Sequence, residues 1–144
     1  MITATPRRRC LTGETGIREA LGPWLSNKGV DADHNEVMEV YAACESAQEE
    51  ETPDMIYSEL VANTLKRMAD TWGVEATNAE AEAFGASIGD WPAFADAPDA
   101  LDYLKGHYKL FVLSNVNKAS FARSNEKLGV KFDAVFTAED IGSY

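Results

Sequence analysis

The chain has 144 residues, 45% of them hydrophobic, and a formal net charge of -11 at pH 7, with a sequence pI near 4.5. That apolar share supports a genuine core, in one ordinary domain or two small ones. The acidic balance argues against a nucleic-acid binder, which normally needs a basic face. No apolar run is long enough to cross a membrane and the start lacks the apolar stretch of a secretory signal, so a cytoplasmic protein without membrane contact is the expectation.

Met1 to Thr15 shows neither helical nor strand periodicity, and residues 1–15 read as a separate N-terminal stretch. Its Arg7-Arg8-Arg9 run is short and reads as a chain end rather than an interaction arm. Cys10 and Cys44 are isolated, so neither a disulfide framework nor a zinc site is expected. From Gly16 the pattern turns helical. Ile17, Leu21 and Trp24-Leu25 share one face, and Gly29 offers a stop. Asp33-His-Asn-Glu36 resembles a capping box and opens a helix carrying Val37, Val40, Tyr41 and Cys44. That helix runs out in Glu49-Glu50-Glu51, a solvated end.

A third helix is predicted from Thr52-Pro53-Asp54, with proline suited to a first turn. Tyr57, Leu60, Val61, Thr64, Leu65, Met68 and Trp72 form its stripe, and Gly73 ends it. Thr77-Asn-Ala-Glu80 is a capping box opening an alanine-rich fourth helix that reaches about Ile88. Residues 16–91 thus read as a small four-helix bundle. Residues 92–144 then alternate. A helix is expected over Pro98–Lys105, a strand over Lys109–Leu113, a helix over Asn117–Leu128 and a strand over Ala134–Thr137.

Lys109-Leu-Phe-Val-Leu-Ser114-Asn115 is the most telling segment. An apolar run between two helical patterns reads as a buried parallel strand. Ligands of open α/β sheets sit outside the carboxyl ends of strands. There the Ser114 hydroxyl and Asn115 amide could grip an anionic substrate. Ser and Asn are also ordinary turn residues, so a plain strand-ending turn stays open beside that reading.

A helical bundle followed by Asp96-Ala-Pro-Asp-Ala-Leu, Leu110-Phe-Val-Leu-Ser-Asn and Phe132-Asp-Ala-Val-Phe-Thr-Ala-Glu-Asp-Ile-Gly-Ser-Tyr144 resembles the haloacid dehalogenase superfamily, type II haloacid dehalogenase-like branch. The resemblance implies an α/β protein with a doubly wound, Rossmann-like parallel-sheet core, truncated here, and an inserted four-helix cap domain. It implies a hydrolase, of 2-haloacid dehalogenase or phosphatase type, in which an aspartate forms a covalent ester that water then cleaves. Ser114 matches the residue that holds the negative charge, a catalytic and substrate-binding role. Asn115 matches the residue that helps to bind the substrate carboxylate. A small anionic substrate, haloacid or phosphate ester, is implied for intact relatives. No cofactor is implied in this chain, and Mg²⁺ belongs to intact phosphatase-type relatives.

The chain departs from that pattern at both ends. The family nucleophile precedes the cap, whereas the first aspartate here is Asp31. The family lysine would fall just after Tyr144. The expectation is an incomplete chain without the nucleophile and the later lysine, inactive as it stands, and whether it is itself an enzyme stays open. Asp133, Glu139 and Asp140 read as solvated loop charges rather than metal ligands. Dehalogenases of this type carry a cap-helix arginine, but no Arg or Lys lies between His34 and Thr52. Arg18, Lys66 and Arg67 read as surface residues, and Trp24, Tyr41 and Trp91 as core rather than cleft lining. The alternative is a non-catalytic acidic helical module that binds a protein. Self-association is a further expectation, because two parallel strands without sheet neighbours leave apolar area in water.

Overall fold

The structure is a computed structural model that describes residues 13–141. The Arg7–Arg9 run, Cys10 and Gly142–Tyr144 lie outside the described residues. The unpatterned stretch assigned to residues 1–15 is corrected at its end, because helix α1 already begins there (Gly13–Lys28). It buries Gly16, Ile17, Leu21 and Trp24, and Gly29 stops it in the left-handed region, at φ 68°.

Helix α2 (His34–Glu51) is capped by Asp33, whose carboxylate accepts from Glu36 N at 3.0 Å. Only half of the box forms there, since the Glu36 carboxylate instead accepts from Trp72 Nε1 at 3.4 Å. The acidic run at its end is not wholly solvated, because Glu51 pairs with Arg67 of the next helix. That helix, α3, is Tyr57–Thr71 and not a continuation from Pro53. Thr52 is bound into the end of α2, its N and Oγ1 both donating to Gln48 O at 3.0 Å. These bonds close α2 rather than open a new helix. The α3 stripe is buried as its spacing predicts, with Ala69 added and Trp72 half-buried past the helix end.

Helix α4 (Asn78–Ala86) opens with the full Thr77/Glu80 capping box. Its last turn tightens into a 3₁₀ turn, Ser87–Asp90, so the regular helix stops before Ile88. Together α1–α4 and this turn enclose one core, in which Leu21, Val61, Leu65, Met68 and Ile88 are the largest fully buried apolar side chains. Trp91 closes it, seated where a Cβ at Gly16 would overlap its ring. The α3–α4 contact is equally tight, since a Cβ at Gly85 would overlap Ser58 O.

The chain then alternates: α5 (Ala97–Lys105), β1 (Phe111–Ser114), α6 (Lys118–Leu128), β2 (Ala134–Thr137) and the short α7 (Ala138–Ile141). Strand β1 begins two residues later than the expected Lys109. Leu110 is held outside the ladder, its N donating to the Asp133 carboxylate and its O accepting from Asp133 N, each at 2.8 Å. The strands are parallel, in register Phe111↔Ala134, Val112↔Val135, Leu113↔Phe136 and Ser114↔Thr137. Among the described residues the sheet has two strands. Alternation puts Phe111, Leu113 and Phe136 on one face, and they are 50%, 70% and 49% exposed. Each fully buried apolar side chain contributes about 1.5–3 kcal/mol, so this face forgoes stabilisation that the helical core secures. No helix among the described residues is long and apolar enough to cross a membrane.

Two glycines give a direct check on this packing. Gly85→Ala should lower stability by about 1–3 kcal/mol, because α3 and α4 must separate to admit the methyl group. Gly106→Ala should be nearly neutral, as its Cβ meets nothing nearer than 3.4 Å and its φ of -65° is helical. Urea melts of the two variants test the contrast.

Candidate functional site at the strand ends

Ser114 is the last residue of β1 and is half-buried. Its Oγ accepts from Val116 N at 3.3 Å, a local side-chain turn that bends the chain away from the sheet. The oxygen is used there as an acceptor, so its O–H is still a donor. Asn115 is exposed at the tip of the turn. Val116 packs against the helical core, so the turn sits where the helical region meets the sheet. Asn117 is not the first residue of α6 but its cap, accepting from Ser120 N at 3.1 Å. Ser114 and Asn115 are thus brought together between a strand end and a helix start. The first N–H groups of that helix are largely taken, Ser120 N by the Asn117 side chain and Lys118 N by Glu139 Oε2, so the donors left to an anion here are the Ser114 hydroxyl and the Asn115 amide.

A second group of residues surrounds this turn. Thr137 ends β2 opposite Ser114 and is buried. Its N and Oγ1 donate to Asp140 Oδ2 at 2.9 and 3.0 Å. The other Asp140 oxygen forms an ion pair with Lys118 Nζ, and Lys118 N donates to Glu139 Oε2 at 3.2 Å. The Lys118 ammonium, then the Thr137 amide, hold the Asp140 carboxyl down to about 2, and Asp140 in turn raises Lys118. The expectation of solvated loop charges is therefore corrected. Glu139 and Asp140 tie the start of α6 to the end of β2. Their spacing was the available signal, since Thr137-x-x-Asp140 follows the capping-box pattern.

Asp133 belongs elsewhere. It sits at the amino end of the strands, accepting from Lys105 Nζ at 2.6 Å and Leu110 N at 2.8 Å. Lys105 first, then the Leu110 amide, depress its carboxyl. Among the described residues no three His, Cys, Asp or Glu side chains gather as a metal group. The strand-end carboxylates already face Lys118 and backbone donors, so the residues present do not fit Mg²⁺.

Trp24, Tyr41 and Trp91 are all buried in the helical core rather than lining a cleft. Tyr41 and Tyr57 hydroxyls both donate to Glu45 Oε1, at 2.9 and 2.7 Å, and burial, with the neighbouring Tyr57 and Glu45, pushes the Tyr41 hydroxyl up. Arg67 is no idle surface cation, donating to Gln48 Oε1 at 2.7 Å and pairing with Glu51. The open recesses along α3 and α4, lined in part by Lys66, Asp70 and Asn78, include no strand-end residue.

No protein-family model matches the sequence, and no curated protein matches it. Solved structures do share the fold. A defluorinating L-2-haloacid dehalogenase matches with a TM-score of 0.78 at 15% identity, over 93% of this chain and 58% of that one. A dehalogenase in an intermediate complex matches at 0.71 and 17%, over 94% of this chain and 60% of that one. Another L-2-haloacid dehalogenase gives 0.65 and 16%, with coverages of 90% and 59%. The chain has the fold of these haloacid dehalogenase-superfamily structures and spans 58–60% of their length.

The strand-end ties carry a pH signature. A carboxyl held near 2 in the fold and near 3.9 unfolded contributes stability above about pH 4. That stability is lost as the pH falls toward 2. Asp140→Asn should flatten this part of the acid decline, seen as a smaller fall in urea midpoint between about pH 5 and about pH 2.

Proposed function

We propose that this chain is the cap-bearing portion of a haloacid dehalogenase-type hydrolase. Residues 16–91, with the first turn of α1, serve as the helical cap domain, and residues 92–144 as part of a doubly wound core domain. The observation that carries the reading is the fold shared over 93% of the chain with a TM-score of 0.78, in which Ser114 and Asn115 lie at the carboxyl end of a parallel strand. The substrate is a small anion, a haloacid or a phosphate ester. The Ser114 hydroxyl donates to the charge that is resident or developing on the reacting group, and the Asn115 amide holds a substrate carboxylate. An aspartate nucleophile would displace halide from a haloacid, or the alcohol from a phosphate ester, to form a covalent ester, and water would then cleave that ester to release the product and restore the carboxylate. No aspartate precedes Asp31 in these 144 residues, so this chain by itself is expected not to turn over. Binding groups cannot replace the residue that forms the covalent bond.

Purified chain assayed with 2-chloropropionate and a chromogenic phosphate ester should show no turnover above a Ser114→Ala control. A chimera carrying the first strand and remaining core of a solved dehalogenase should regain activity. Within it, Ser114→Ala should lower kcat by about 10²–10³, the usual effect of one preorganised donor. Asn115→Ala should chiefly raise KM for carboxylate substrates. Near-parental kinetics with both residues replaced would make the segment a turn and nothing more.

The exposed face of Phe111, Leu113 and Phe136 favours a second reading, a non-catalytic acidic module that binds protein. Self-association of the chain through that face belongs to either reading. Sedimentation over a concentration series reports it, and Leu113→Lys should shift the distribution toward monomer.

A further inference from the structure

Helix α6 carries two cations one turn apart, Arg123 and Lys127, and both reach back to the segment that ends the helical region. Lys127 Nζ donates to Gly89 O at 3.0 Å and to Trp91 O at 3.2 Å. Arg123 Nη2 donates to Ala86 O, and Nη1 pairs with Asp90 at 3.7 Å. Gly89 and Trp91 lie at the end of the 3₁₀ turn, where carbonyl oxygens beyond the last intrahelical bond carry partial negative charge. A Cβ at Gly89 would overlap the Arg123 guanidinium, so glycine is what admits the cation to its seat. The same segment is anchored from the other side. The Trp91 ring lies in the helical core, and its Nε1 donates to Ser87 Oγ at 3.2 Å. At its other end α6 begins at the Ser114–Asn117 turn, whose Val116 also packs on the helical core.

We infer that Arg123 and Lys127 are positioning residues that make residues 86–91 a locked joint instead of a hinge, so the helical region and the strand-end turn move as one body. The inference concerns how the chain's two regions are coupled and stands whichever reaction the site serves. A site built this way admits its ligand without a swing of the helices about residues 86–91.

Amide hydrogen exchange on the full chain tests it. Arg123→Gln with Lys127→Met should speed exchange in residues 86–91 and 114–117 by at least about tenfold, the effect expected of losing even one of these charge-assisted hydrogen bonds. Val61, Leu65 and Met68 in α3 should keep their protection. The conservative pair Arg123→Lys with Lys127→Arg should restore slow exchange. Unchanged exchange at both segments, a uniform rise that includes α3, or failure of the conservative pair to restore protection would overturn the inference. If the double variant does not fold, Gly89→Ala gives the same readout by displacing the guanidinium while both cations remain.

Discussion

The seating of Trp91 against Gly16 is the contact on which the two regions depend. Its ring completes the helical core at a spot too narrow for any side chain on α1. Its carbonyl accepts from Lys127 of α6. One residue therefore belongs to the packing of the helices and to the polar attachment of the α/β region. Interiors are close-packed, so such a ring cannot shift without disturbing its neighbours. The direction in which β1 and α6 leave the helical region follows from that placement.

Much of this arrangement was legible in the sequence, for reasons that differ from element to element. The α3 stripe and the Thr77/Glu80 box were readable because helical spacing and capping are local rules. The start of α3 was misread at Pro53, because a proline suits a first turn and a post-helix turn equally. The Thr52 amide and hydroxyl, both bonded to Gln48 O, separate the two. The start of β1 was misplaced because the residue that removes Leu110 from the ladder is Asp133, 23 positions away. At the strand ends, Ser114 and Asn115 were found by position. Lys118 was not singled out, because its role exists only once β2 is laid beside β1 and brings Asp140 to it. Arg123 and Lys127 had no local signal at all, since their partners are backbone oxygens 36–38 residues away.

Electrostatics separate the regions as clearly as packing does. Most of the 24 acidic side chains lie on α1–α4 and their connections. Among the four cations of α1–α4, Lys28 is engaged with Glu80 at 2.9 Å and Arg67 with Glu51. At the strand ends Lys118 faces two carboxylates.

The notch at Gly16 also has a consequence for synthesis. Helices α2–α4 hold one another through contacts made within their own stretch of chain. The place beside Gly16 is filled by Trp91, which the ribosome adds after all four helices have been made. Until it arrives, α1 has an open flank and the helical core is unfinished. Vectorial synthesis therefore makes this ring the last part of the helical core to become available, and the surface on which α6 docks is complete only once it is there.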